Sequence, residues 1–110
     1  MKRKHHPRIY RLKMWKVFME TTILEKMTVC NAMGLHARPA AQLVHIAGKF
    51  SSAVSIRKAG GAWADCRSVL ALLMLAATCG TELEVQATGS DAREAMDAIA
   101  AYFKEKFGEK

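Results

Sequence analysis

The sequence predicts an α+β domain with its helices gathered on one face of an antiparallel sheet. Three observations carry this: short stretches that alternate apolar and polar residues, longer stretches with apolar residues three and four apart, and their order β-α-β-β-α-β-α. Stripes on the helices and alternate faces of the strands can bury each other only if the two kinds of element form separate layers.

Each element has its own signal. Residues 25–30 alternate, with Met27 and Val29 on one face and Lys26 and Thr28 on the other, and predict the first strand. The loop Asn31-Ala32-Met33-Gly34 follows. Pro39 lacks an N–H and has a fixed φ, so it belongs in a helix's first turn and places the helix start at about His36 or Ala37. Ala40, Leu43, Val44, Ala47 and Phe50 form the buried stripe of that helix; Gln42, His45 and Lys49 face outward, and Gly48 lies near its end. Residues 53–57 and 62–66 flank Lys58-Ala59-Gly60-Gly61, the pattern of a hairpin with a Gly-Gly turn. A second helix over 68–77, apolar almost all round, stops at Thr78-Cys79-Gly80. Residues 82–87 alternate strictly and give the last strand. Ser90 then caps a third helix, with Asp91 and Glu94 in its first turn and Ala92, Ala95, Met96, Ile99, Tyr102 and Phe103 as its apolar stripe; Lys104 and Lys106 suit its end.

At 110 residues the chain is one domain with one core. Its formal charge of +7 is unevenly placed, because residues 1–18 hold seven of the 17 basic residues and no acid, leaving ten charges of each sign in 19–110. The expectation is a basic extension over 1–18, disordered or a start placed too early, followed by the working domain over 19–110. A nucleic-acid arm would rest wholly on that extension and is not favoured. Cationic residues interrupt every apolar stretch there, so it has no hydrophobic region of a signal peptide, and the adjacent His5 and His6 make too weak a metal site. The longest apolar run, 69–77, is far short of the ~18 to 20 residues that span a bilayer. Three cysteines, Cys30, Cys66 and Cys79, without Cys-x-x-Cys spacing argue against a disulfide framework or a zinc site and for a reducing cytoplasm. No metal, cofactor, membrane or nucleic acid is expected.

The chemistry concentrates in Gly34-Leu35-His36-Ala37-Arg38-Pro39-Ala40. It sets an imidazole, a guanidinium and a helix start within a few residues. The first N–H groups of a helix lack internal partners and carry partial positive charge, so an anion there finds donors waiting. Arg38 adds a planar fork that matches phosphate oxygens. His36 is a nucleophile able to carry a covalent intermediate. A Cys30–His36 hydrolase pair is a rival, but no third residue to orient it is apparent.

These residues resemble the signature Gly-Leu/Met-His-x-Arg-Pro-Ala of the histidine-containing phosphocarrier (HPr) family of the bacterial phosphotransferase system. The similarity runs from about Glu25 to about Phe107 and includes Gln42, Arg67-Ser68 and Cys79-Gly80-Thr81; the run 68–75 looks most like the nitrogen-related branch. The resemblance implies an open-faced β-sandwich, a four-stranded antiparallel sheet covered on one face by three helices. It also implies a monomeric carrier, not an enzyme, phosphorylated on His36 Nδ1, with the amides of Ala37 and Arg38 and the Arg38 guanidinium as countercharge. Its expected partners are Enzyme I and Enzyme IIA proteins, docked through Ala41, His45, Val69, Leu70 and Leu73, where His45 stands in place of a lysine common in relatives. Ser68 is a natural helix cap and also matches a serine that a dedicated kinase modifies in some members. Arg67 and Val69-Leu70-Ala71 depart from the Lys-Ser-Ile-Met-Gly form of those members. A regulatory relay in a nitrogen-type branch, without sugar transport, is the alternative reading.

Overall fold

The computed structural model describes residues 21–110. The expected basic extension over 1–18 and the start of the domain at 19–20 lie outside the described residues. The elements are β1 (Thr22–Thr28), α1 (Ala37–Ala47), β2 (Ala53–Lys58), β3 (Ala64–Asp65), α2 (Val69–Leu73), β4 (Glu82–Thr88) and α3 (Ala92–Lys104), with a 3-10 turn at Lys106–Gly108. One antiparallel sheet has the order β1-β4-β2-β3. The strictly alternating β4 sits inside it, pairing Met27 with Leu83 on one side and Ile56 with Val85 on the other.

Alternation decides which face is covered. Met27, Val54, Ile56, Leu83, Val85 and Ala87 are buried with Ala40, Leu43 and Ala47 of α1, Leu72 of α2, and Ala92, Ala95, Met96, Ile99 and Phe103 of α3 in one apolar cluster. Fully burying one aliphatic side chain of this size is worth about 1.5–3 kcal/mol, so the cluster dominates folding. The opposite face is wet and polar: Arg57 Nε donates to Glu84 Oε1 at 2.6 Å across β2 and β4, and its guanidinium lies 4.3 Å from the Trp63 ring centroid. This is the two-layer α+β fold the residue pattern predicts, and its open-faced four-stranded form is the one the family resemblance implies.

Boundaries differ from expectation in several places, and the second hairpin strand is Ala64–Asp65 rather than 62–66. β1 covers Thr22–Thr28 rather than 25–30, because its ladder with β4 ends at Thr28–Glu82, where β4's chain turns away through the Thr81 N–H to Thr78 oxygen bond of 3.0 Å. Helix α2 covers Val69–Leu73, not 68–77. The apolar run past Leu73 tightens into turns (Leu75 N–H to Leu72 oxygen, Ala76 N–H to Leu73 oxygen), and Ala76 adopts φ +51°, which reverses the chain toward β4. The cap of α3 is Asp91, not Ser90.

Ser68 caps α2 as its type predicts, its Oγ accepting the Ala71 N–H at 3.0 Å. A five-residue helix has few other bonds to hold its start. Ser68→Ala is expected to cost about 1 kcal/mol, read as a lower urea midpoint with unchanged slope.

Asp91 is the N-cap residue of α3, but its side chain makes no cap bond to that helix. Its carboxylate instead accepts the Ser51 and Ser52 N–H groups, each at 2.9 Å, and the Ser52 hydroxyl, tying the α1–β2 connection to the start of α3. The Ser52 hydroxyl, and after it the Ser51 N–H, hold this carboxyl below its ordinary value of 3.8. A depressed folded-state pKa means stability that is complete above the unfolded value and lost as pH falls through the folded one. As pH falls below the ordinary carboxyl value of 3.8, Asp91→Asn should therefore flatten the loss of stability measured by urea midpoints.

Candidate functional site

The site is built where three segments meet: the loop into α1, the exit of α2 and the segment after α3. Gly34 has φ +73°, and a Cβ on it would stand 2.6 Å from the Ala77 carbonyl oxygen and 3.0 Å from Thr78 Cα. That close approach lets the Leu35 N–H bond Ala77 oxygen at 2.9 Å. The loop is thereby fixed against the α2 exit, and His36 follows as the N-cap of α1 with extended backbone (φ −97°, ψ −168°).

His36 makes no side-chain cap bond, although its carbonyl accepts the Ala40 N–H at 3.0 Å. Among the described residues, nothing accepts the N–H groups of Ala37 and Arg38. The His36 side chain is 30% exposed, and its Nε2 lies 2.9 Å and 3.1 Å from the two carboxylate oxygens of Glu109. Nδ1 has no hydrogen-bond partner among the described residues. Arg38 is exposed beside it on the first turn, forms no ion pair among the described residues, and lines an open cleft of about 610 Å³ between α1 and α3 with Tyr102 and Glu105.

Glu109 and Asn31 are the site residues that sequence reasoning missed. Asn31 is fully buried; its Nδ2 donates to Gly34 oxygen at 2.8 Å and to Glu109 Oε1 at 2.9 Å. The Asn31 bond is the chief reason the Glu109 carboxyl sits below its ordinary value, with partial burial opposing it and His36 and Arg38 assisting. The segment is anchored twice more. The Ala32 N–H donates to Lys110 oxygen at 3.0 Å, and buried Phe107 packs on the Tyr102 and Phe103 rings at centroid distances of 5.2 and 4.9 Å. The available signal was Phe107, an apolar residue past the end of the α3 stripe that had to fold back to be buried. Nothing in the sequence tied the acid after it to His36.

The other expected residues fall around this centre. Ala41 and His45 are exposed on α1, and Leu70 is 68% exposed on α2. Val69 and Leu73 are half-buried, packing partly against the core. Met33 in the His36 loop and Met74 after α2, 73% and 76% exposed, extend the apolar surface and were not anticipated. Ser68 is half-buried with its Oγ engaged in the cap. The Cys30–His36 pair does not form: the Cys30 thiol donates to Thr28 oxygen at 3.3 Å, and His36 turns its Nε2 to Glu109. Among the described residues no helix is long and apolar enough to cross a membrane.

Known proteins are similar to this chain in sequence and fold. The family model for the phosphotransferase-system HPr component phosphorylation site matches residues 23–105. The phosphocarrier protein NPr of Proteus mirabilis is 39% identical over 88 residues, covering 80% of this chain and 98% of its own length. The phosphocarrier protein HPr of Cupriavidus necator is 40% identical over 82 residues, covering 74% and 91% respectively. A crystal structure of HPr-C-His from Thermoanaerobacter tengcongensis superposes with a TM-score of 0.75 at 33% identity, covering 80% of this chain and 98% of that one. The chain belongs to the HPr family and is a phosphocarrier of the phosphotransferase system.

Proposed function

We propose that His36 is the phosphoryl acceptor, taking the group from phosphorylated Enzyme I and passing it to Enzyme IIA proteins. The observation that carries this reading is the ring's position. It is a partly exposed imidazole at the N-cap of α1, with Nε2 engaged by Glu109 and Nδ1 without a hydrogen-bond partner among the described residues, carried by the residue that precedes the first N–H groups of the helix, those of Ala37 and Arg38.

A phosphoryl group on Nδ1 brings negative charge to the end of α1, where those amides and the Arg38 guanidinium favour it. The stabilisation has to be moderate, because a carrier must also surrender the group. The chain is in this reading a consumed and regenerated reactant rather than a catalyst. It acts, as the family resemblance implies, as a monomer in the cytoplasm, a reading that suits the free thiols of Cys30, Cys66 and Cys79. Residues 19–110 form its working domain. Partners dock over Ala41 and His45 of α1 and over Leu70, Val69 and Leu73 of α2, with the exposed Met33 and Met74 completing the apolar surface around His36.

The nitrogen-type branch is supported by the NPr relative, which matches over 98% of its own length. In that branch the same transfer at His36 would serve regulation instead of sugar uptake. Incubation of the full chain with Enzyme I and phosphoenolpyruvate should give an acid-labile mass gain of one phosphate. A protein that takes up none under conditions that phosphorylate a known HPr would overturn the reading.

A further inference from the structure

We infer that Cys30 and Cys79 are a redox pair: a small-molecule disulfide oxidises them to a bond that fastens the start of the His36 loop to the exit of α2, and phosphoryl acceptance falls until the bond is reduced. The inference rests on the proposed role of His36 and adds a modification site that controls it.

The backbone brings the two residues together. Past the end of β1, the Val29 N–H donates to Thr81 oxygen at 2.9 Å, and the Gly80 N–H donates to Val29 oxygen at 2.7 Å. Val29 thus faces two residues of the other segment, a bulge with Gly80 at φ +91°. Both bonds fall on Val29, so the next residue of each segment, Cys30 on one and Cys79 on the other, takes the adjoining position without ladder bonds. Opposed positions of an antiparallel pair stand about 4.5–5.5 Å apart at Cα, within the roughly 4.4–6.8 Å that a disulfide bridges. Both cysteines are exposed. The Cys30 thiol makes a single bond, to Thr28 oxygen at 3.3 Å, which rotation about Cα–Cβ releases. Cys66 does not compete: it is fully buried, and burial, with the Asp65 charge behind it, pushes its thiol up to about 12, leaving almost no thiolate to exchange.

The pair sits where the site is held. Cys30 precedes Asn31, whose Nδ2 donates to Gly34 oxygen at 2.8 Å. Cys79 follows Ala77 and Thr78, the backbone on which Gly34 packs, and Ala77 oxygen takes the Leu35 N–H at 2.9 Å. Drawing the two sulfurs to bonding distance pulls the turn at residues 78–81 toward Asn31. Gly34 meets that segment with no room for a Cβ, so the shift passes to His36.

The exchange balances with glutathione disulfide as oxidant. One cysteine thiolate attacks it, forming a mixed disulfide and releasing a glutathione thiolate; the other cysteine thiolate attacks the first cysteine's sulfur, forming the Cys30–Cys79 bond and releasing the second glutathione thiolate. The two protons lost by the cysteines end on the two glutathiones, and the two electrons reduce the oxidant. Reduced glutathione runs the steps backward, which suits a reducing compartment where disulfides are transient and redox-sensing.

The full chain in wild-type, Cys30→Ser and Cys79→Ser forms, treated with glutathione disulfide and freed of excess, tests this by intact mass, mapping of linked peptides, thermal unfolding and phosphate acceptance from Enzyme I. Wild type should lose the mass of two hydrogens through a Cys30–Cys79 bond while Cys66 stays free. Its unfolding midpoint should rise, because the closed loop restricts the unfolded chain, while acceptance falls about tenfold, the scale on which a small displacement of a reacting group acts. A thiol reductant should reverse both changes. The serine variants should show neither the bond nor the raised midpoint. Glutathione adducts alone, or bonds only between two chains, would overturn the inference, and so would a Cys30–Cys79 bond that leaves acceptance within about twofold of the reduced protein. Lost acceptance with a lowered midpoint would mark damage instead of a switch and would overturn it too. Reduced wild type that takes no phosphate where a known HPr does would sink the proposed function, while the mass and unfolding results would still decide whether the pair forms.

Discussion

His36→Ala is expected to abolish the acid-labile gain of phosphate, lowering acceptance from Enzyme I by more than about a thousandfold, as removal of a covalent nucleophile does elsewhere. The loss should be chemical and not structural. The His36 side chain makes no cap bond to α1, its ring is partly exposed, and the backbone bonds that build the site, from Leu35 N–H to Ala77 oxygen and from Ala40 N–H to His36 oxygen, do not involve the imidazole. Glu109 keeps its bond from Asn31 when the ring is gone, so it is not left without a donor. The variant should therefore give a native circular dichroism spectrum and a cooperative unfolding transition while remaining inert. His45, the other described histidine on α1, is exposed nearer the far end of the helix, away from the unpaired amides. Continued phosphorylation of His36→Ala, located to another residue by tandem mass spectrometry, would remove the basis for the assignment.

What was legible in the sequence follows what has a period. β4 and the α1 and α3 stripes were readable because alternation and three-to-four spacing report burial directly, and Leu83, Val85, Leu43, Met96 and Ile99 are all fully buried. Where tertiary demands override local pattern, the reading failed. The run after Leu73 has no Gly or Pro to stop a helix, yet Ala76 takes a left-handed conformation because the chain must present Ala77 oxygen to Leu35 and then enter β4. The site divides in the same way. His36, Arg38 and Pro39 were legible because they are adjacent in sequence and each acts through the helix start. Glu109 lies 73 residues from His36, and the contact depends on the fold-back of Phe107, so no local spacing could announce it.

Gly34→Ala is the substitution expected to damage fold and site together. At φ +73° an alanine pays about 1–2 kcal/mol for the left-handed conformation alone. Its Cβ would also press on the Ala77 oxygen at 2.6 Å and on Thr78 Cα at 3.0 Å, and both are backbone atoms that cannot rotate aside. Relief requires the loop to lift, which stretches the 2.9 Å bond from Leu35 N–H to Ala77 oxygen and shifts His36 relative to Glu109. The total should reach about 3 kcal/mol or more, a fall in Tm of over about 10 °C for a domain of this size. Gly60 supplies the control: it has φ +77° but nothing within 4 Å of its Cβ position, so Gly60→Ala should show only the conformational cost of about 1–2 kcal/mol. The difference between the two melting points measures the close approach itself. Phosphate acceptance per folded molecule should fall in Gly34→Ala and stay at the wild-type level in Gly60→Ala, because only the first displaces the imidazole. Equal losses of stability in the two variants, with full activity in both, would show that the contact between the His36 loop and the α2 exit does not hold the site in place.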